Sequence, residues 1–149
     1  MGQIDQAGEW ILKQSIQYNL PHGLVFISNS DGGEPPYPTR ATQFRYTDTC
    51  ISVSCMHGQE GETTITLGWS AEVDPGYAPV ISGALKTAGG SVLVSTSEGE
   101  VLLETPTPTA ETNVRIWVDH PLWPANIHIG IGLADDERKM SVGPMPAIG

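Results

Sequence analysis

Apolar and polar residues alternate most cleanly over residues 113–133, NVRIWVDHPLWPANIHIGIGL. Val114, Ile116 and Val118 interleave with Arg115, Trp117 and Asp119; Ile127, Ile129, Ile131 and Leu133 interleave with His128, Gly130 and Gly132. A period of two puts one set of side chains on a buried face of an extended chain and the other set on a wetter face. The stretch predicts two strands, joined by a connection bracketed by Pro121 and Pro124.

Weaker versions of the same pattern run upstream. Residues 15–20 and 24–28 read as strands separated by Pro21 and Gly23. Residues 28–40 form a long polar loop by their Asp-Gly-Gly and their three prolines. Residues 49–56 place Ile51, Val53 and Cys55 inward, and residues 63–69 place Ile65, Leu67 and Trp69 on one face. With the glycine-bearing HGQEG between them, these two runs predict a hairpin. A turn on Asp74-Pro75-Gly76 precedes short strands at 80–85, 91–96 and 100–104, separated by turns at 88–90 and 97–99. The proline-rich TPTPTAET of residues 105–112 reads as a loop at the end of a sandwich. Residues 3–14 form either a short helix, with Ile4, Ala7 and Ile11 near helical spacing, or a direct lead into the first strand; Gly8 weakens the helix. Beyond Leu133 the periodicity stops, which predicts an irregular surface tail over 134–149.

About eight short strands, with a turn signal roughly every ten residues, predict an all-β fold: an antiparallel β-sandwich with at most one short N-terminal helix. At 149 residues the expectation is a single domain spanning 1–149. The composition agrees, with 16% charged residues, 17 Gly and 12 Pro. Charge adds something the pattern does not contain. Seventeen acids against seven bases give a formal net charge of −10. That opposes direct binding to a nucleic acid backbone and favours a basic protein partner. No window has the apolar length to cross a bilayer. The N-terminus carries no signal-peptide pattern, and Gln6 stands where a myristoylation site wants Ser or Thr. Two cysteines, Cys50 and Cys55, lie five apart and so on opposite faces of one strand; unpaired thiols fit a reducing, cytoplasmic setting.

Candidate chemistry is sparse. Cys55 and His57 are a lone pair of zinc-type ligands with no second pair to complete a site. Asp31, Glu34, Asp135 and Asp136 lack the spaced grammar of a calcium loop. No metal, no cofactor and no catalytic residue is expected, and the protein is not read as an enzyme. Spacing alone leaves Cys50 or Cys55 open to pairing with His22, His57, His120 or His128, but a thiol in apolar strand text is more commonly packed. Asp119 and His120 are neighbours on a strand ending at Pro121 and so point apart. What remains is surface. Aromatics beside carboxylates suit a basic protein, and Glu34, Tyr37, Asp119, Trp123, Asp135 and Asp136 are the candidate partner-binding residues. Trp117 is either core or part of that surface. Two alternatives stand beside this reading: a ligand or catalytic pocket at a loop end near Asp119, His120 and Trp123, and a structural subunit of a larger assembly.

Several segments taken together carry a family resemblance. SIQY…LVFIS precedes a proline-bearing loop, and QFRYTDTCISVS introduces the next strand. TITLGWSAEVDP runs a strand into an acidic turn, SVLVSTSEGEVLLETP makes a hairpin, and NVRIWVDHP with IHIGIGL closes the chain. Over most of residues 15–133 this resembles the competence protein J family, small acidic intracellular β-sandwich proteins whose founding type inhibits a DNA-entry nuclease. The resemblance implies a nuclease inhibitor; with the net charge of −10 and the sparse catalytic chemistry, the chain reads as an inhibitor or immunity-type protein that neutralises a basic partner such as a nuclease or toxin. The resemblance carries no individual residue across.

Overall fold

The structure, a computed structural model, describes residues 13–30, 44–107, 109–120, 124–133 and 141–142. The candidate N-terminal helix and most of the 28–40 loop lie outside these residues. Two sheets form a β-sandwich. The first, sheet A, contains β1 (Gln14–Tyr18), β5 (Thr63–Trp69), β6 (Ile81–Lys86), β9 (Glu111–Val118), β10 (Asn126–Leu133) and β11 (Ser141–Val142), in the order β1-β5-β10-β9-β6-β11. The second, sheet B, contains β2 (Leu24–Asn29), β3 (Phe44–Tyr46), β4 (Cys50–Ser54), β7 (Ser91–Thr96) and β8 (Val101–Pro106), in the order β3-β4-β2-β7-β8. All pairs are antiparallel except β5 with β10.

The alternating positions fill the space between the sheets. Ile65, Leu67, Val114, Ile116, Val118, Ile127, Ile129 and Ile131 come from sheet A; Val25, Ile27, Ile51, Val53, Cys55, Val92 and Val94 come from sheet B. Nearly all are fully buried. A buried aliphatic side chain contributes on the order of 1.5–3 kcal/mol, so these two inner faces hold the fold together.

The structure corrects the hairpin expected from residues 49–56 and 63–69. β4 pairs with β2 and β3, whereas β5 pairs with β1 and β10 in the other sheet. Alternation fixes which face of a strand is buried but not which strand lies beside it. Here the glycine-bearing connection arches from one sheet to the other. Gly58 and Gly23 both donate backbone hydrogen bonds to the Leu20 carbonyl, and the Cys55 amide donates to the Gly23 carbonyl at 2.7 Å. At Gly58 a Cβ would sit 2.9 Å from that Leu20 carbonyl oxygen. The glycine therefore serves close backbone packing between two arches rather than a tight two-strand turn. A second difference lies in the tail: Ser141 and Val142 add a two-residue strand alongside Ser82 and Ile81 of β6. So short a segment gives no readable periodicity.

The 91–104 hairpin matches expectation, but the 105–112 loop is shorter than expected: Thr105 and Pro106 pair within β8, and Glu111 and Thr112 already belong to β9. β7 and β8 pair across the 97–100 turn, and the chain then crosses from sheet B to β9 of sheet A.

Candidate functional site

Of the six candidate partner-binding residues, the structure describes Asp119; Glu34, Tyr37, Trp123, Asp135 and Asp136 lie outside the described residues. Asp119 is exposed at the end of β9, and its carboxylate organises the connection to β10. Oδ1 accepts from the amides of Ala125 at 2.9 Å and Asn126 at 3.1 Å, and Oδ2 accepts from Asn126 Nδ2 at 2.8 Å. An aspartate can satisfy backbone donors of a turn in this way.

Trp117 points away from the inter-sheet core, as its place in the alternation requires, yet it is only 1% exposed. The cover is the β5-to-β6 connection. β5 and β6 run in the same direction with β10 and β9 between them, so the chain must return across the outer face of sheet A. It does so as a one-turn helix, α1 (Ser70–Val73), followed by an extended strap. Trp117 Nε1 donates to the Tyr77 carbonyl at 2.7 Å, Tyr77 Oη donates to the Val118 carbonyl at 3.0 Å, and the Val80 amide donates to the Ile116 carbonyl at 2.8 Å. Gly68 and Gly130, register partners on β5 and β10, make the hollow in which α1 lies. Trp117 is thus core, but of a second, smaller layer. Sequence alone left it open because an indole on the wetter face is covered only if a connection crosses above it.

His128 lies beside Trp117 on this covered face, half-buried. Burial is the main reason its imidazole is held below the ordinary value of 6.5; Lys13 pushes the same way, while Asp119 and Asp74 oppose. The folded state therefore prefers the neutral ring. Stability from this site is full above the unfolded value and falls as pH drops through it towards the lower folded value. His128→Gln is expected to make stability less steep in pH on the acid side of 6.5. Urea midpoints measured from pH 7.5 to pH 5 test this, and an unchanged slope counts against it.

Both thiols are buried and free. Burial pushes the Cys50 thiol up to about 12 and the Cys55 thiol higher still. A nucleophilic cysteine needs the opposite, a stabilised thiolate, so both behave as packed apolar groups. Cys55 faces the core, and Cys50 backs the outer face of sheet B.

Three acids belong to the β7–β8 hairpin: Glu98 and Glu100 at its turn and Glu104 on β8. Tyr18 Oη donates to Glu100 Oε1, a bond that is the first cause of a phenol held above its ordinary value. Ser91 Oγ donates to Glu104 Oε2 at 3.1 Å, and His22 Nε2 lies 3.8 Å from Glu98 Oε2. Residues 91–106 contain no Lys or Arg. A phenol and a hydroxyl hold the Glu100 and Glu104 carboxylates in place without neutralising their charge, while Glu98 faces the His22 imidazole. Sequence reasoning passed over Glu98, Glu100 and Glu104 because each reads as an ordinary solvated turn or strand acid. Their common placement depends on β1 lying beside β8, where Gln14 Nε2 also donates to the Glu104 carbonyl at 2.9 Å. Among the described residues, no three His, Cys, Asp or Glu side chains gather as metal ligands, and no helix is long and apolar enough to cross a membrane.

No protein-family model matches the chain, and no curated protein is similar to it. Among solved structures it is similar to the crystal structure of ComJ from Bacillus subtilis, an inhibitor of the DNA degrading activity of NucA. The TM-score is 0.63 at 9% sequence identity, covering 81% of this chain and 96% of that one. The resemblance read from the sequence therefore holds for the fold.

Proposed function

We propose that this chain is an acidic β-sandwich inhibitor that captures and neutralises a basic protein, with a DNA-degrading nuclease as the first partner class and a toxin as the second. The observation that carries this reading is the fold shared with ComJ over nearly the whole of that inhibitor. The net charge of −10 supports it, since opposite charge speeds encounter and orients a basic partner. The same charge disfavours DNA as the direct ligand. The carboxylates at the β7–β8 hairpin offer a basic surface several acceptors of one sign. Two free, buried cysteines suit a cytoplasmic site of action. In this reading the protein inhibits by covering a surface and performs no chemistry of its own.

Capture from a lysate of the source cells tests the reading. The immobilised chain is expected to retain a basic protein at low ionic strength and release it in high salt. Adding the free chain back should suppress that protein's DNA degradation. Retention of no protein, or of one whose activity the chain leaves untouched, overturns the proposal.

A further inference from the structure

The outer face of sheet B is apolar through its middle and has no strap comparable to the one on sheet A among the described residues. Leu24 and Phe26 on β2 and Leu93 on β7 are half-buried there, and Val101 on β8 is 48% exposed. The register sets Ser52, Phe26, Ser95 and Val101 side by side across four strands, with Cys50, Ser28, Leu93 and Glu104 in the next row. Ser28 and Ser95 are too small to fill the space between the larger side chains, whereas Ser52 is buried. The result is an open groove lined by Phe26, Ser28, Cys50 and Ser95 that leads to Ser97 and Gly99 of the hairpin. Glu98 and Glu100 flank Gly99 in the chain at that end, with the Glu100 carboxylate hydrogen-bonded to Tyr18 of β1, and Glu104 on β8 is the register partner of Leu93. An exposed valine on an edge strand, a phenylalanine-floored groove and a rim of one charge sign are the parts of a docking surface: an apolar anchor with complementary charge around it.

We infer that this groove receives an extended basic segment of a partner protein. An aliphatic side chain of that segment packs between Phe26 and Val101 over Ser95, and flanking lysines or arginines meet Glu98, Glu100 and Glu104. The inference rests on the basic-partner reading above and names the surface that serves it. Acids on the rim exclude a phosphate backbone from the same place.

The probe is a capped hexapeptide of alternating lysine and valine, titrated into the isotope-labelled chain and followed by amide chemical shifts at low salt. The shifts are expected to cluster on residues 24–28, 93–101 and 104. A glutamate–valine hexapeptide should leave them unmoved. Glu98→Lys with Glu100→Lys is expected to weaken binding about tenfold, an effect of the size seen for close complementary charges. Ser95→Phe, which fills the groove from a half-exposed position without removing a contact, is expected to weaken it comparably. Glu72→Lys with Glu111→Lys makes the same charge change elsewhere and should leave affinity within about twofold. Unchanged thermal melts confirm that each variant is folded. Shifts that spread over the surface or fall on the strap overturn the inference, as does equal weakening by the Glu72 and Glu111 changes. Capture of a nuclease that the Glu98 and Glu100 reversals do not disturb overturns the groove and leaves the inhibitor reading standing. Localised peptide binding with no captured partner does the reverse.

Discussion

Trp117→Ala is expected to cost about 3–5 kcal/mol of folding stability. The indole is 1% exposed and fills the space between sheet A and the strap that crosses it. Truncation leaves a cavity walled by β-strand on one side and by a connection on the other. It also strips the Tyr77 carbonyl of its 2.7 Å partner. Loss of this part-buried hydrogen bond adds to the cost. Trp117→Phe separates the two contributions, since it keeps most of the ring and loses only the N–H; about 1–3 kcal/mol is expected there. Urea unfolding followed by circular dichroism measures both. A loss below about 1 kcal/mol for alanine would mean that the strap does not seal this face, and the two-layer account of Trp117 would be wrong.

Gly130→Ala is expected to destabilise by about 1–3 kcal/mol despite adding a single methyl group. A Cβ there would lie 2.5 Å from Ser70 Oγ, 2.8 Å from Ser70 Cα and 3.0 Å from Trp117 Cζ3. The hydroxyl can rotate away, but the Cα is backbone at the start of α1 and the indole is already enclosed. Relief requires the helix to lift off the sheet. Gly132→Ala, two residues along the same strand and on the same face, supplies the control. Its Cβ would meet only Asn113 Cβ at 4.0 Å, and alanine in a strand loses less conformational entropy on folding than glycine. That variant is expected to be neutral or slightly stabilising. If the two substitutions prove equal in a urea titration, the hollow under α1 is not the reason for Gly130.

The strap and the acidic hairpin occupy opposite sides of the sandwich, and this affects how variants should be read. Changes at Trp117 or Gly130 should lower stability without altering the Glu98–Glu100 rim until the protein unfolds. A charge change at Glu98 should do the converse, because Glu98 is exposed and surface substitutions away from packed features usually shift stability by under about 0.5 kcal/mol; at Glu100 the lost Tyr18 hydrogen bond adds to that shift.

The strands were legible where alternation was strong. Residues 113–133 gave β9 and β10, whose antiparallel pairing the structure adds; Val92 and Val94 marked β7. The 49–56 and 63–69 runs were legible as strands but not as partners, since a connection rich in glycine serves an arch between sheets as well as a hairpin within one. The candidate site was far less legible. Asp119 stood out because it adjoined His120 and Pro121, and the fold shows it bonded to the turn that follows. Glu98, Glu100 and Glu104 did not stand out, because nothing in their spacing distinguishes a shared rim from three separate solvated acids. Gly130 read as one small residue on a wetter face, and its reason lies in Ser70, sixty positions away.

By itself the sequence determined which side chains fill the space between the two sheets. The period of two and the excess of β-branched residues settle that two apolar faces must meet, and the surplus of carboxylates settles the sign of the surface. Tertiary structure alone decided which strand lies beside which, and so where the β5-to-β6 connection must cross and what it covers. Burial is a property of each residue's own surface area and shows in its local pattern. Adjacency is a property of pairs far apart in the chain, and no local pattern contains it.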